Sequence, residues 1–296
     1  MAQIINGKEV AQRVRESIKN EANELFERFG KRPGLAVIIV GEDPASQVYV
    51  RNKAKGCEEV GFHSEVYRLP EETTMDELLA LINKLNNDSN IHGILCQLPL
   101  PKHLDEMQVI LNINPEKDVD AFHPVNTGKI MIGNYSFLPC TPAGVMELIA
   151  STGTDITGKK CVVVGRSNIV GKPQAMLLLQ KNGTVTICHS RTKNLKDEIK
   201  QADILVVAIG KADFITGDMI KEGAIVIDVG MNRNSEGKLT GDVDFASAEK
   251  VASYITPVPG GVGPMTITML LKNTLTAAKE QIKYHKFIIK YGSRLK

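Results

Sequence analysis

Apolar positions along the chain switch between two periods. Val10, Val14, Ile18, Ala22, Leu25 and Phe26 recur at helical spacing, which predicts an amphipathic helix over about residues 7 to 29, stopped at Gly30. Leu35 to Val40 is an unbroken apolar run closed by Gly41, the pattern of a strand buried on both faces. The loop 42–45 then leads into a helix of roughly 46–60, ended by Gly61. Val66 to Leu69 reads as a short strand. Thr74 and Glu77 have capping-box spacing and open a helix through Leu85. A third strand, Gly93 to Leu98, is broken by Pro99-Leu100-Pro101, and a helix from about 104 to 112 precedes a loop from Pro115 to Pro124. Strand and helix alternate, as in a parallel α/β arrangement.

The pattern sharpens in the second half. Cys161 to Val164 is a buried-strand run that ends abruptly at Gly165. A polar loop follows, with Gly171 and Pro173 at the head of a helix over 174–180. Strand, Gly-bounded loop and helix present a helix N-terminus to a phosphate. The spacing departs from Gly-x-Gly-x-x-Gly, because Ser167 stands at the second glycine and the last glycine comes one residue late. Further apolar strands are predicted at 184–188, 204–209 and 224–229, with a helical piece between Asn194 and Ala202. The unit reads as a dinucleotide-binding domain. At the end of its second strand stands His189-Ser190-Arg191-Thr192, without the carboxylate that binds a ribose hydroxyl in NAD sites. A hydroxyl and a guanidinium suit a phosphate instead, and Arg166 in the first loop can serve the same group. The reading is NADP rather than NAD.

Composition narrows the class further. The chain has 296 residues, long enough for two domains, with 43% hydrophobic and 24% charged residues. A net charge of +2 gives no reason to expect nucleic acid or a membrane as partner. The five cysteines and six histidines show no disulfide or metal-ligand spacing, so no metal is expected. The N-terminus lacks an apolar signal core and no segment reaches membrane-spanning length, which points to a soluble cytoplasmic protein.

After the dinucleotide strands, Pro257-Val258-Pro259-Gly260-Gly261-Val262-Gly263-Pro264 forms a stiff loop poor in side chains, suited to close approach by a flat ligand. Ile267, Leu270, Leu271, Leu275 and Ala278 then define a helix long enough to return to the first domain. The expected organisation is two α/β domains: 1–140 with 265–296 as the catalytic domain, and 141–264 as a Rossmann-type NADP-binding domain. The basic tail after Lys279 reads as a surface helix or a frayed end.

Tyr49 and Lys53 are four residues apart on a predicted helix and share one face. A tyrosine can stack on a flat heterocycle, and a partly desolvated lysine loses pKa and can exchange protons near neutrality. Gln97, at the carboxyl end of its strand, needs a partner there, and Lys53 is a candidate. Asp120, in a Pro-bounded loop, could accept paired hydrogen bonds from an amidine-like ring edge. Each residue taken singly also fits an ordinary role: a solvated helix pair, a backbone-satisfied Gln, a turn-forming Asp.

Together and in order, Tyr49-Val50-x-x-Lys53, Gln97-Leu98-Pro99-Leu100-Pro101, Lys117-Asp118-Val119-Asp120, Gly165-Arg166-Ser167-x-Ile169-Val170-Gly171-x-Pro173 and Pro259-Gly260-Gly261-Val262-Gly263-Pro264 resemble the bifunctional methylenetetrahydrofolate dehydrogenase/methenyltetrahydrofolate cyclohydrolase family. The resemblance spans nearly the whole chain, and the length resembles the two-activity form without a synthetase domain. It implies a tetrahydrofolate substrate that stacks on Tyr49 and binds Asp120, with Leu98, Pro259, Gly260 and Gly261 also contacting it. It further implies Lys53 as the central catalytic residue, oriented by Gln97. For NADP it implies Gly165, Arg166, Ser167, Ile169, Val170, Gly171, Ser190, Arg191 and Met231. A homodimer serving one-carbon metabolism, and through it purine, histidine and methionine synthesis, is implied as well. Ala121 stands where the family commonly has Gly, and Met231 where Ile is common. Two other classes share some of these features. A two-domain NADP dehydrogenase of a shikimate-like substrate does not predict the Pro-Gly-Gly-Val-Gly-Pro loop, and a non-catalytic NADP module has no need of Tyr49, Lys53 and Gln97 together.

Overall fold

The computed structural model describes residues 1–233 and 237–291, with their side chains except at 45 and 284–291. In chain order the elements begin with β1 (Gln3–Ile4), α1 (Gly7–Phe29), β2 (Gly34–Val40), α2 (Pro44–Val60), β3 (His63–Leu69), α3 (Met75–Asn87) and β4 (Gly93–Cys96). Then come α4 (Glu106–Asn112), α5 (Pro124–Met131), α6 (Cys140–Ser151), β5 (Lys160–Val164), α7 (Gly171–Gln180), β6 (Thr184–Cys188) and α8 (Leu195–Ile199). The remainder is β7 (Ile204–Val207), β8 (Ile225–Asp228), β9 (Asn232–Arg233), β10 (Leu239–Thr240), α9 (Phe245–Ala248), β11 (Tyr254–Ile255) and α10 (Val262–Tyr291). The expected α/β alternation holds. The part of the basic tail beyond residue 291 lies outside the described residues. No described helix is long and apolar enough to cross a membrane.

The chain divides into two compact units. The first comprises Met1–Arg13, Ile130–Gly133 and Pro139–Met269; the second comprises Val14–Lys129, Asn134–Leu138 and Leu270–Lys296. In the second unit a parallel sheet, ordered β3-β2-β4, carries β2 at its centre, every residue of it buried. One face of that sheet packs Ala36, Ile38 and Ile94 against Leu78, Ile82 and Leu85 of α3 and Val109 of α4. The expected capping box is present: Thr74 Oγ1 accepts the Glu77 N–H, and the Glu77 carboxylate accepts the Thr74 N–H. The last helix does return to this unit, where Asn273 Nδ2 donates to the carbonyls of Val119 (2.7 Å) and Leu138 (2.8 Å).

The first unit holds a parallel six-stranded sheet ordered β1-β11-β8-β7-β5-β6. Strand order reverses beside β5, with β6 on one flank and β7 on the other, the place at which open parallel sheets bind ligands beyond their strands' carboxyl ends. Its core includes Val162, Val164, Leu205, Val207 and Val226.

Several local expectations are corrected. β4 ends at Cys96 rather than Leu98, because Pro99 has no N–H for a ladder, although Gln97 N still donates to Ile38 O at 2.8 Å. α2 starts at Pro44, where a missing N–H does no harm at a helix's first turn. A helix for which the sequence reading gave no element, Pro124–Met131, follows the predicted loop. Apart from these, β1 joins the first unit's sheet through β11, and Met1–Arg13 belongs to the same compact unit as Ile130–Gly133 and Pro139–Met269.

Candidate active site

Asp43 caps α2 by accepting the Ser46 N–H at 2.8 Å, and Gly61 ends the helix in a left-handed conformation. The stripe facing the sheet is Ser46, Val50, Lys53, Cys57 and Val60, all buried. Lys53 thus stands in register with the apolar face and is only 8% exposed, which excludes a solvated helix pair. Its Nζ donates to Gln97 Oε1 at 2.8 Å. Gln97 is fixed one residue beyond β4, and its own Nε2 donates to Leu98 O at 2.7 Å, so its oxygen faces the lysine. Tyr49, one turn before Lys53, is half-buried, and burial raises the pKa of its phenol.

Asp120 ends a segment whose other members act as scaffold. Lys117 Nζ donates to the carbonyls of Leu85 (2.9 Å) and Asp88 (2.7 Å) at the end of α3. The buried Asp118 carboxylate accepts the His123 N–H and Asn126 Nδ2, both at 2.8 Å, and the Phe122 N–H at 3.3 Å. Desolvation raises the Asp118 pKa against these donors. Val119 O takes the Asn273 amide. Asp120 is left lining a cavity with Cys96, Leu98, Val109, Ile113 and Phe122. Burial, and then the charge of Asp120, pushes the Cys96 thiol up to about 12, leaving it a neutral wall. Ala121 has φ 58°, a left-handed conformation that glycine adopts without strain.

In the first unit, the turn after β5 is set by two glycines. A Cβ on Gly171 would lie 2.2 Å from Gly165 O, and one on Gly165 would lie 2.2 Å from Ala208 O. Ser167 does not leave its hydroxyl oxygen idle: Oγ accepts the N–H groups of Val170 (3.1 Å) and Gly171 (3.3 Å) at the start of α7. Arg166 and Ile169 are exposed around this loop. Beyond β6, Ser190 and Arg191 are exposed on a turn held by His189 N to Thr192 Oγ1 at 2.8 Å and Arg191 N to His189 Nδ1 at 3.1 Å. Met231 is exposed just past β8. Pro259, Gly260 and Gly261 form a turn in which Val258–Pro259 is cis and Gly260 has φ 108°. Its partner is the start of α1, where a Cβ on Gly7 would lie 1.8 Å from Gly261 O.

Sequence reasoning missed Gly7, Asn126, Asn273 and a pair of buried carboxylates, Asp228 and Asp242. The glycine carried a signal, since it stands at a helix start where other residues are commoner. Among the described residues, no group of three His, Cys, Asp or Glu could hold a metal ion.

Comparison with known proteins agrees with this layout. Residues 5–120 match the tetrahydrofolate dehydrogenase/cyclohydrolase catalytic domain, and residues 139–282 match the NAD(P)-binding domain of the same family. The bifunctional protein FolD of Acetivibrio thermocellus is 64% identical over 282 residues, covering 95% of this chain and 99% of the relative. The FolD methylenetetrahydrofolate dehydrogenase/cyclohydrolase structure from Campylobacter jejuni superimposes with a TM-score of 0.92 at 50% identity, covering 95% of this chain and 99% of that one. The corresponding Trypanosoma brucei enzyme, solved with NADP cofactor and inhibitor, gives a TM-score of 0.90 at 43% identity, covering 94% and 98%. A shikimate 5-dehydrogenase from Thermus thermophilus shares the fold alone, at 13% identity and a TM-score of 0.51 over 83% of this chain and 99% of that one.

Proposed function

The chain belongs to the tetrahydrofolate dehydrogenase/cyclohydrolase family, and from that premise we propose that it oxidises methylenetetrahydrofolate with NADP and hydrolyses the methenyl product to formyltetrahydrofolate. The observation that carries the reading is the buried Lys53 amine held by Gln97 Oε1. Hydrolysis begins when water attacks the methenyl carbon, and a base must take the proton that this water loses. Lys53 is that base. In its neutral form the amine keeps its donor bond to Gln97 while its lone pair accepts the proton. Tyr49 stacks on the pterin, and the Asp120 carboxylate accepts hydrogen bonds from its ring edge. Leu98, Pro259, Gly260 and Gly261 complete the substrate contacts.

The residues of the first unit fit NADP. Gly165 and Gly171 keep the β5–α7 turn clear of side chains at a helix N-terminus, the setting in which backbone N–H groups meet phosphates. Ser167 secures that helix start, and Ile169, Val170 and Met231 offer apolar contact. Arg166, Ser190 and Arg191 supply donors for a 2′-phosphate. When bound, NADP supplies the hydride acceptor. The domain limits proposed are 1–140 with 265–296 for folate and 141–264 for NADP, with the first thirteen residues adding a strand to the latter's sheet. The enzyme works as a cytoplasmic homodimer and feeds purine, histidine and methionine synthesis. The reading of pairing is supported by β6 at the end of the six-stranded order, with Thr184, Thr186 and Ile187 exposed.

The test is absorbance after mixing protein with methylenetetrahydrofolate and NADP. NADPH should form without accumulation of the methenyl compound, and Lys53→Met should let it accumulate. Small, equal losses of both activities in that variant would refute the role given to Lys53. Absence of NADPH formation in the unaltered protein would refute the activity itself.

A further inference from the structure

Two carboxylates that the mechanism does not use are enclosed in the first unit. Asp242 is 0% and Asp228 3% exposed. Asp242 Oδ2 accepts the N–H groups of Ile209 (2.7 Å) and Gly210 (3.0 Å), while Oδ1 accepts Lys211 N–H (2.8 Å) and Asn232 Nδ2 (2.9 Å). Asp228 Oδ1 accepts the N–H groups of Gly230 (2.8 Å) and Asp242 itself (3.0 Å), and Oδ2 accepts Val243 N–H (2.9 Å). The two act in series. Asp228 holds the backbone of Asp242, and Asp242 gathers three successive N–H groups of the turn that follows β7. Neighbouring glycines are dictated by the same contacts: a Cβ on Gly241 would lie 1.8 Å from Asp228 Oδ2, and one on Gly230 would lie 2.3 Å from Asp242 Cγ.

The place of this clamp in the fold gives it a task. Ligands of open parallel sheets lie outside the carboxyl ends of the strands. The β5–α7 turn and the β6 turn take the phosphates and the 2′-phosphate end, so the turns after β7 and β8 face the other half of a dinucleotide. Those are the turns the clamp fixes, and Asn232, bound to Asp242, adjoins Met231. Backbone N–H groups alone could be satisfied by water. Here they are drawn inward onto charge, even though burial, and beyond it the neighbouring Asp242 charge, pushes Asp228 up to about 6. An arrangement that burial opposes is characteristic of functional sites.

We propose that Asp242 and Asp228 are positioning residues for the nicotinamide half of NADP: by immobilising the turns after β7 and β8, they preform the surface on which that half is held. The inference rests on the NADP reading above. In Asp242→Asn, whichever way the amide turns, its NH2 group meets two N–H donors and the turn is released.

Calorimetric titration of the full chain with two probes tests this. NADP reports the whole site, and 2′,5′-ADP reports the adenosine and 2′-phosphate half alone. Asp242→Asn should weaken NADP about tenfold, the loss expected when one hydrogen bond to a charged acceptor is broken, and leave 2′,5′-ADP affinity unchanged. Parallel weakening of both probes, or unchanged binding of both with a lowered unfolding temperature, would show a purely structural role and overturn the proposal. Should that variant not fold, Asn232→Ala removes one partner at a half-buried position, and the same split between probes is required of it. Failure of the unaltered protein to bind either probe would count against the NADP reading itself, a different result from loss of the split.

Discussion

Replacing Lys117 by Met separates scaffold from chemistry in the Lys117–Asp120 segment. The Lys117 side chain is 6% exposed, and its ammonium bonds two carbonyls at the C-terminal end of α3, where the helix dipole favours a cation. Burial lowers its pKa, so part of the gain from these bonds is spent on desolvation. Two charge-assisted hydrogen bonds contribute about 1.5–3 kcal/mol each, and with the desolvation of the ammonium deducted the net loss in Lys117→Met should be about 3 kcal/mol. For a unit of this size that lowers the unfolding temperature by roughly 6–12 °C. The measurement is thermal unfolding followed by circular dichroism, paired with hydrolysis of supplied methenyltetrahydrofolate at 20 °C. Stability should fall while hydrolysis at low temperature stays near that of the unaltered protein, since Asp118 and Asp120 line the cavity and Lys117 does not. Abolished hydrolysis with an unchanged unfolding temperature would refute the reasoning and move Lys117 into contact with substrate.

Other outcomes follow from the same geometry. Gly171→Ala puts a methyl 2.2 Å from Gly165 O, so NADP titration should show binding lost, while hydrolysis of supplied methenyltetrahydrofolate persists. Arg191→Ala should lower the NADP-to-NAD preference about tenfold or more, the loss of one charge-assisted contact; an unchanged preference in kcat/KM would make Arg191 a surface residue only. His92 is held near pKa 4, first by burial and then by the charge of Lys117, and its Nδ1 accepts the Gly34 N–H at 3.0 Å. Its folded pKa lies below its unfolded value near 6.5, so the neutral ring contributes stability above pH 6.5. About 3 kcal/mol is lost as pH falls from 6.5 through 4. Urea unfolding across that range should show the slope, and His92→Gln should flatten it.

The parts of the fold legible in the sequence were those with their own period or their own cap. β2 and β5 announce themselves as unbroken apolar runs, α1 by its stripe, and α3 by Thr74 and Glu77. Lys53 could have been placed more firmly, since it falls in register with Val50, Cys57 and Val60 on a helix whose buried face those residues define. Two-residue strands such as β1 and β11 carry no period at all and are defined by their pairing, β1 on β11 and β11 on β8 as well. Asp228 and Asp242 look like ordinary turn carboxylates until folding delivers their N–H donors. Asn273 reaches Val119 from 154 positions away in the chain. Ser167 is implied as an NADP-binding residue by the resemblance, and its hydroxyl serves the start of α7, a use that spacing does not reveal.

Strand β1 has a bearing on biogenesis. Ala2, Gln3 and Ile5 donate to the carbonyls of Glu249, Ser253 and Ile255, so β1, the first strand in chain order, joins its sheet only through β11, the last. The other unit's parallel β-sheet needs only residues 34–96, and can form while the remainder is still being synthesised. β1 therefore stays unpaired until β11 has been synthesised. Closure of the nucleotide-binding sheet is thereby a post-translational event. Extensions fused ahead of Met1 would burden that late docking step more than they would the early-folding sheet.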